Sequence, residues 1–254
     1  ILARVTARTR LVLVDHVTSP TALVLDVAAL ARALPSHVAL LVDGAHAPGM
    51  LDLAVADVGA AFYTGNFHKW TCAPKGAGFL WVAPERRDGF RPLVTSHGAS
   101  LPETAGRSRF RLEHDWTGTH DPSAYLSVPV AIETVARLGG GWPRVRERNR
   151  TLARVMRDDL AAALAADPID LTPEPADGQR ASMAAVAVEL PAGADHLAVE
   201  RALLERGVEV PIVSHPGAPW PLVRVSAHLY NRRSDAMRLA AALTAAGVRG
   251  RRIP

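Results

Sequence analysis

Lysine is nearly missing from this chain. Of its 29 Lys and Arg side chains only two are Lys, Lys69 and Lys75, both in the same central stretch. Guanidinium replaces ammonium wherever charge or solubility alone is wanted, but it stays protonated and forms no ordinary imine. A retained Lys69 therefore favours chemistry over surface charge. Lys75, inside the Pro74-Lys75-Gly76 turn, reads as structural or surface-facing. Cysteine is scarcer still. Cys72 stands alone, which excludes an internal disulfide framework and fits a reducing cytoplasm. No apolar run approaches the roughly 20 residues that cross a membrane, and no signal peptide is visible. Aromatic residues make up only 5% of the chain, and the arginines are scattered. The net charge of +4 is thus a poor indication of nucleic-acid binding. The one dense group, Arg144 to Arg157 with Glu147, Asp158 and Asp159 interspersed, reads as a solvated helix face. Metal-ligand spacing is absent too. His46, His68, Cys72 and His97 follow no HxxxH or CxxC pattern, so no metal site is expected.

What is present is a chain of 254 residues, nearly half of them apolar, enough for one large domain or two modest ones. Thr9 to Asp15 reads as a buried strand, Asp26 caps a helix through Leu34, and Val38 to Val42 is a second strand ending on Asp43. Strand, helix, strand argues for a parallel α/β layer. Two further apolar runs, Ala60 to Tyr63 and Gly78 to Val82, flank a polar turn carrying His68, Lys69 and Trp70. Residues 84–117 are irregular, a long loop of the kind that is usually functional or interfacial. A helix runs from Asp121 or Ser123 to Leu138. Gly139-Gly140-Gly141 breaks it, and a longer helix opens at Trp142 and continues to Leu164. The domain boundary is placed here, giving residues 1–139 and 140–254. The second part reads as strand (182–190), helix (195–206), strands (208–213 and 222–226) and helix (234–246), a small α+β unit. The chain begins at Ile1 with a strand soon after, and looks like the later part of a longer one.

The central stretch sets an acid, Asp43, at one strand end and an amine, Lys69, on the loop after another. Strand ends are where open α/β sheets bind ligands. A lysine that condenses with an aldehyde makes a Schiff base. If the aldehyde is pyridoxal phosphate, a carboxylate beside the pyridine nitrogen keeps it protonated and the ring becomes an electron sink. Spacing alone does not establish this pairing.

The segments DGAHAPG (43–49), TGNFHKW (64–70) and CAPKGAGFLWV (72–82) resemble the fold-type I pyridoxal-phosphate enzymes of the class V aminotransferase superfamily. The likeness is greatest to the isopenicillin N epimerase-like and cysteine desulfurase-like branch. Weaker likeness runs from LVLVDHVTSP (11–20) to VRVSAHLYN (223–231). The resemblance implies the later portion of a fold-type I large domain, mostly parallel sheet with helices, followed by a small α+β domain. It implies Lys69 as the internal-aldimine lysine and α-carbon base, Asp43 at the pyridine nitrogen and His46 near the phenolic oxygen. His68 would contact the phosphate, with Asn66 and Thr64 as weaker candidates. Gly118-Thr119 matches an element by which one subunit touches its neighbour's cofactor phosphate, so a homodimer with interfacial sites is implied. Arg224 matches an arginine that holds the substrate carboxylate, a planar group suited to a fork of donors.

The fate of the carbanion stays open among epimerisation, transamination and β- or γ-elimination. Cys72 follows the lysine by three residues, whereas the family's desulfurase cysteine lies on a later loop, so a persulfide mechanism is disfavoured. The upstream helix that grips the phosphate and the side chain that stacks on the ring have no counterpart after Ile1. A rival reading is a truncated protein of the same fold that has lost cofactor binding.

Overall fold

The structure, a computed structural model, describes residues 1–103, 106–168, 181–215 and 218–253. The first sheet holds β1 (Leu11–Asp15), β2 (Ala39–Gly44), β3 (Phe62–Asn66) and β4 (Gly78–Val82) in that order. β1, β2 and β3 are parallel and β4 runs antiparallel to β3. Between β1 and β2 lies α1 (Val27–Ala33), whose N-cap Asp26 accepts the amide of Ala29. Val12, Val14, Leu40, Val42 and Tyr63 point to one face, where α1 covers them. The other face carries Leu11 and Leu13, both exposed, and ends on Asp15 and Asp43.

The second sheet is antiparallel, in the order β6 (Ile212–His215), β7 (Ala218–Ser226), β5 (Met183–Glu189), β8 (Arg249–Gly250). α5 (Trp142–Leu164), α6 (His196–Leu204) and α7 (Ser234–Ala245) pack on it around one core. On α5 the buried positions Val145, Asn149, Ala153, Met156 and Leu160 recur at helical spacing, which is why that face seats on the sheet.

Several expectations need correction. The third strand starts later and runs further than its apolar run, so Asn66 is its last residue rather than part of a turn. The helix expected to reach Leu138 is two, α3 (Ser123–Leu126) and α4 (Val128–Gly139), with Ser127 between them and Pro129 in the first turn of the second. A proline there lacks only an N–H that would be unpaired anyway. The strand expected over residues 208–213 begins at Ile212, after Pro211, which has no N–H for a ladder. The irregular stretch 84–117 contains a six-residue helix, α2 (Arg109–His114), capped by Ser108; residues 104 and 105 lie outside the described residues. Its buried Glu113 pairs with Arg91 and, at 3.9 Å, with Arg109.

The arginines of α5 are also not simply a solvated face. Arg146 pairs with Asp52 at 2.9 Å, and Arg148 donates to the carbonyls of His228 and Asn231. Both tie the long helix to other parts of the chain. No described helix is long and apolar enough to cross a membrane.

Candidate active site

Asp15 and Asp43 are register partners at the C-terminal ends of β1 and β2, and Asp43 pairs in turn with Thr64 on β3. Beyond β2 the chain turns sharply. Asp43 Oδ1 accepts the amide of Ala45 at 2.9 Å and Ala47 closes back on Gly44, which brings His46 inward. Gly44 is required for the sheet to close. A Cβ there would lie 2.1 Å from the ring of Tyr63, which passes beneath it so that its hydroxyl meets His16 Nδ1 at 2.7 Å. The His16–Tyr63 bond is buried and spans the first three strands.

After β3 the loop carrying Lys69 is closed by its own backbone. Phe67 N bonds Ala77 O, Ala73 N bonds Phe67 O and Cys72 N bonds Lys69 O, with Cys72 in the left-handed region at φ 57°. Gly49, at φ 84°, lets the 43–50 turn press against Trp70 and Thr71; a Cβ would sit 3.0 Å from the Trp70 carbonyl carbon. The two segments singled out in the sequence are therefore packed on one another. At their contact Lys69 Nζ lies 3.3 Å from His46 Nε2, and Trp70 Nε1 donates to His46 Nδ1 at 3.4 Å.

Burial and neighbouring charge act together on the groups of this site. Burial lowers the proton affinity of Lys69; Asp43 works against that, Arg224 adds to it, and Asp15 opposes it. His46 is pushed down to about 3 by burial, with Lys69 and Arg224 contributing. Burial and then the charge of Asp43 raise the Asp15 carboxyl, while Lys69 pulls it back. Tyr63 is held protonated by burial and by Asp43. Lys69, Asp43, His46 and Arg224 thus sense one another, although Arg224 comes from the second sheet.

Arg224 donates from one terminal nitrogen to the carbonyl and hydroxyl oxygens of Ser19, both at 2.7 Å, joining β7 to the loop after β1. Its Nε is buried without a partner. Such an orphaned donor is one that an anionic ligand can satisfy. Asn66 ends β3, and His68 Nδ1 bonds Ala77 O at 3.2 Å inside the loop. Thr119 is exposed on the segment between α2 and α3. Sequence reading missed three residues of this neighbourhood: Asp15, His16 and His228. The one available signal was that LVLVD (11–15) ends on an acid, just as LLVD (40–43) does. Among the described residues no group of three or more His, Cys, Asp or Glu could hold a metal ion.

The residues fit a group bearing an aldehyde and a basic ring nitrogen, with an anionic substrate beside it. They offer an amine of lowered proton affinity, a carboxylate at a strand end within its electrostatic reach, and an unpaired buried guanidinium N–H.

The aminotransferase class-V family model matches residues 1–239, and the chain belongs to that family. It is 38% identical over 251 residues to the isopenicillin N epimerase of Streptomyces clavuligerus, covering 94% of this chain and 60% of that protein. To a probable chloroplastic L-cysteine desulfhydrase of Arabidopsis thaliana it is 32% identical over 245 residues, 91% of this chain and 50% of that one. The chain thus spans between half and three fifths of these relatives. Among solved structures it superposes on the cystine C-S lyase C-DES, in complex with its product cysteine persulfide, with a TM-score of 0.75 at 21% identity. That match covers 95% of this chain and 62% of C-DES. An apo cysteine desulfurase from Thermococcus onnurineus gives 0.72 at 20% identity, over 92% of this chain and 59% of the other. C-DES has also been solved with glycine covalently linked to its pyridoxal-phosphate cofactor. The shared architecture is the fold-type I arrangement, of which this chain holds a part.

Proposed function

We propose that this chain carries the lysine-bearing part of a pyridoxal-phosphate-dependent enzyme that acts at the α-carbon of an amino acid. The observation that carries the reading is Lys69. Its amine has lowered proton affinity and sits 3.3 Å from His46, within electrostatic reach of Asp43. A bound pyridoxal phosphate supplies an electron sink for the pair left when a proton departs from that carbon. Lys69 takes and returns the proton, its affinity for one lowered chiefly by burial. Asp43 holds a positive ring nitrogen, and His46 stays a neutral hydrogen-bonding group. His68, Asn66 and Thr119 contact the phosphate, Thr119 across a homodimer interface. Arg224 holds the substrate carboxylate.

Residues 1–139 form the cofactor-binding unit and residues 140–254 the small domain, in a protein of the cytoplasm. An epimerase-type outcome is favoured by the 38% identity to isopenicillin N epimerase, ahead of the C-S lyase chemistry named for the more distant desulfhydrases. Cys72 gives no support to a persulfide route, since burial raises its thiol. The test is direct. Protein mixed with pyridoxal phosphate should develop an imine absorbance band, and borohydride should fix the pyridoxyl group on Lys69 in the peptide map. Label confined to Lys75, or no band at all, would sink the reading.

A further inference from the structure

Lys69 has two carboxylates in electrostatic reach, Asp43 and Asp15, and both favour its ammonium form. Arg224 opposes them, and His46 lies against the amine, its Nε2 3.3 Å from Lys69 Nζ. What His46 does to Lys69 depends on where the imidazole proton sits, and the indole of Trp70 decides that. An indole nitrogen only donates. Trp70 Nε1 points its N–H at His46 Nδ1, so Nδ1 must accept. A neutral imidazole whose Nδ1 accepts carries its proton on Nε2, the atom 3.3 Å from Lys69 Nζ. An ammonium has three donors and no acceptor. Facing an Nε2–H, it would place two donors against each other; a free amine has a lone pair and completes the bond.

Trp70 is itself held from a second side. His228 Nδ1 accepts the amide of Leu229 at 2.8 Å, so its Nε2 carries a proton and donates to the Trp70 carbonyl at 3.0 Å. The indole also stacks near the His228 ring, with centroids 6.1 Å apart, and is almost fully buried. Its N–H therefore has a fixed direction.

We propose that Trp70 is a positioning residue for Lys69, acting through His46: the indole N–H selects the Nε2–H tautomer, and that tautomer accepts only a free amine beside it. The alternating chain of donor and acceptor from Trp70 to His46 to Lys69 supports the nucleophilic form against the pull of two acids. This deepens the reading of Lys69 as the reacting amine, but its test needs no cofactor.

Because the chain has only two lysines, Lys75 serves as an internal reference. The protein without added cofactor is pulse-labelled with acetic anhydride across the neutral-to-alkaline range, and the acetylation of each lysine is followed by mass spectrometry. Wild-type Lys69 should reach its half-maximal rate at lower pH than Lys75. Trp70→Phe removes the N–H and should raise the Lys69 midpoint by about half a unit or more, a roughly threefold loss of free amine at fixed pH. His46→Ala should raise it too, and adding Trp70→Phe to His46→Ala should change nothing further, as expected of two residues on one path. Should Trp70→Phe fail to fold, β-(3-benzothienyl)alanine at position 70 keeps the bicyclic shape and replaces the N–H by sulfur. An unmoved midpoint in the folded variant, or additive shifts in the double variant, overturns the proposal. A protein that shows these shifts yet forms no imine with pyridoxal phosphate would refute the enzymatic reading and leave this one standing.

Discussion

Asp15 and Asp43 stand directly opposite one another at the ends of neighbouring parallel strands, on the face of the sheet that α1 does not cover. Adjacent strands lie about 4.8 Å apart, so the two carboxyl groups share one small region with the Lys69 amine. Burial and then the negative charge of Asp43 raise the proton affinity of Asp15. Its raised affinity means that the folded state binds a proton more tightly than the unfolded chain. The resulting stability is fully present below the usual Asp range and is lost as pH rises through the folded value. Asp15→Asn should therefore melt slightly higher than wild type near neutrality, on the order of 1 °C. The gap should close in acid. The same substitution removes an anion that favours the ammonium, so Lys69 should acetylate at a lower pH. A variant with unchanged Lys69 reactivity would show that Asp15 lies outside the site's field.

His46 works in the opposite direction. It is held at about 3 in the folded chain, mainly by burial, against an ordinary value of 6.5. The unfolded chain takes up a proton between those limits and the folded one does not. Stability is therefore lost as pH falls from about 6.5 towards 3. The effect is on the order of a few kcal/mol over the whole window. His46→Gln should flatten the acid limb of stability measured by urea titration at stepped pH. His228, lowered chiefly by burial, adds a limb of the same sign that this substitution leaves in place.

Gly44 carries the third prediction. Its missing Cβ leaves room for the Tyr63 ring, 2.1 Å from where that atom would be. Gly44→Ala must displace the ring and strain the buried bond to His16, at a cost of about 1–3 kcal/mol typical of overpacking. Combined with Tyr63→Ala it should cost clearly less than the sum of the two changes, because the obstructing ring is gone. Denaturant unfolding of the four proteins measures this, and strict additivity would count against it.

Glu113 is only 5% exposed and is compensated mainly by Arg91, with Arg109 farther off. Removing the arginine leaves a buried carboxylate with a weak partner, whereas neutralising the acid leaves an arginine that reaches water. Arg91→Ala should therefore destabilise α2 more than Glu113→Gln does, the loss being tempered because Arg109 remains. Hydrogen exchange of the α2 amides reads the difference. Equal protection in both variants would show that the ion pair is not what holds the helix.

Much of the core architecture was legible because hydrophobic pattern and punctuation agreed. The Asp26 cap, the glycine break before Trp142 and the run at Gly78–Val82 all stand where the sequence placed them. The short α2 helix was not legible, since glycines and prolines on both sides mask a segment held by a long-range ion pair. The Arg-rich face of α5 misled for a related reason. Charge at helical spacing does not reveal that Asp52 or the carbonyls of residues 228 and 231 wait beside it.

By itself the sequence determined which groups are available: a lysine amine kept in a chain that otherwise uses arginine, and an acid after a strand to accompany it. Only the tertiary structure decided what surrounds that amine. Asp15 enters through strand register, Arg224 through the seating of the second sheet, and the Trp70–His46–Lys69 chain through a turn pressed on a loop at Gly49. Pairing distance and proton direction arise where segments far apart in the chain meet, and no local pattern of residues encodes them.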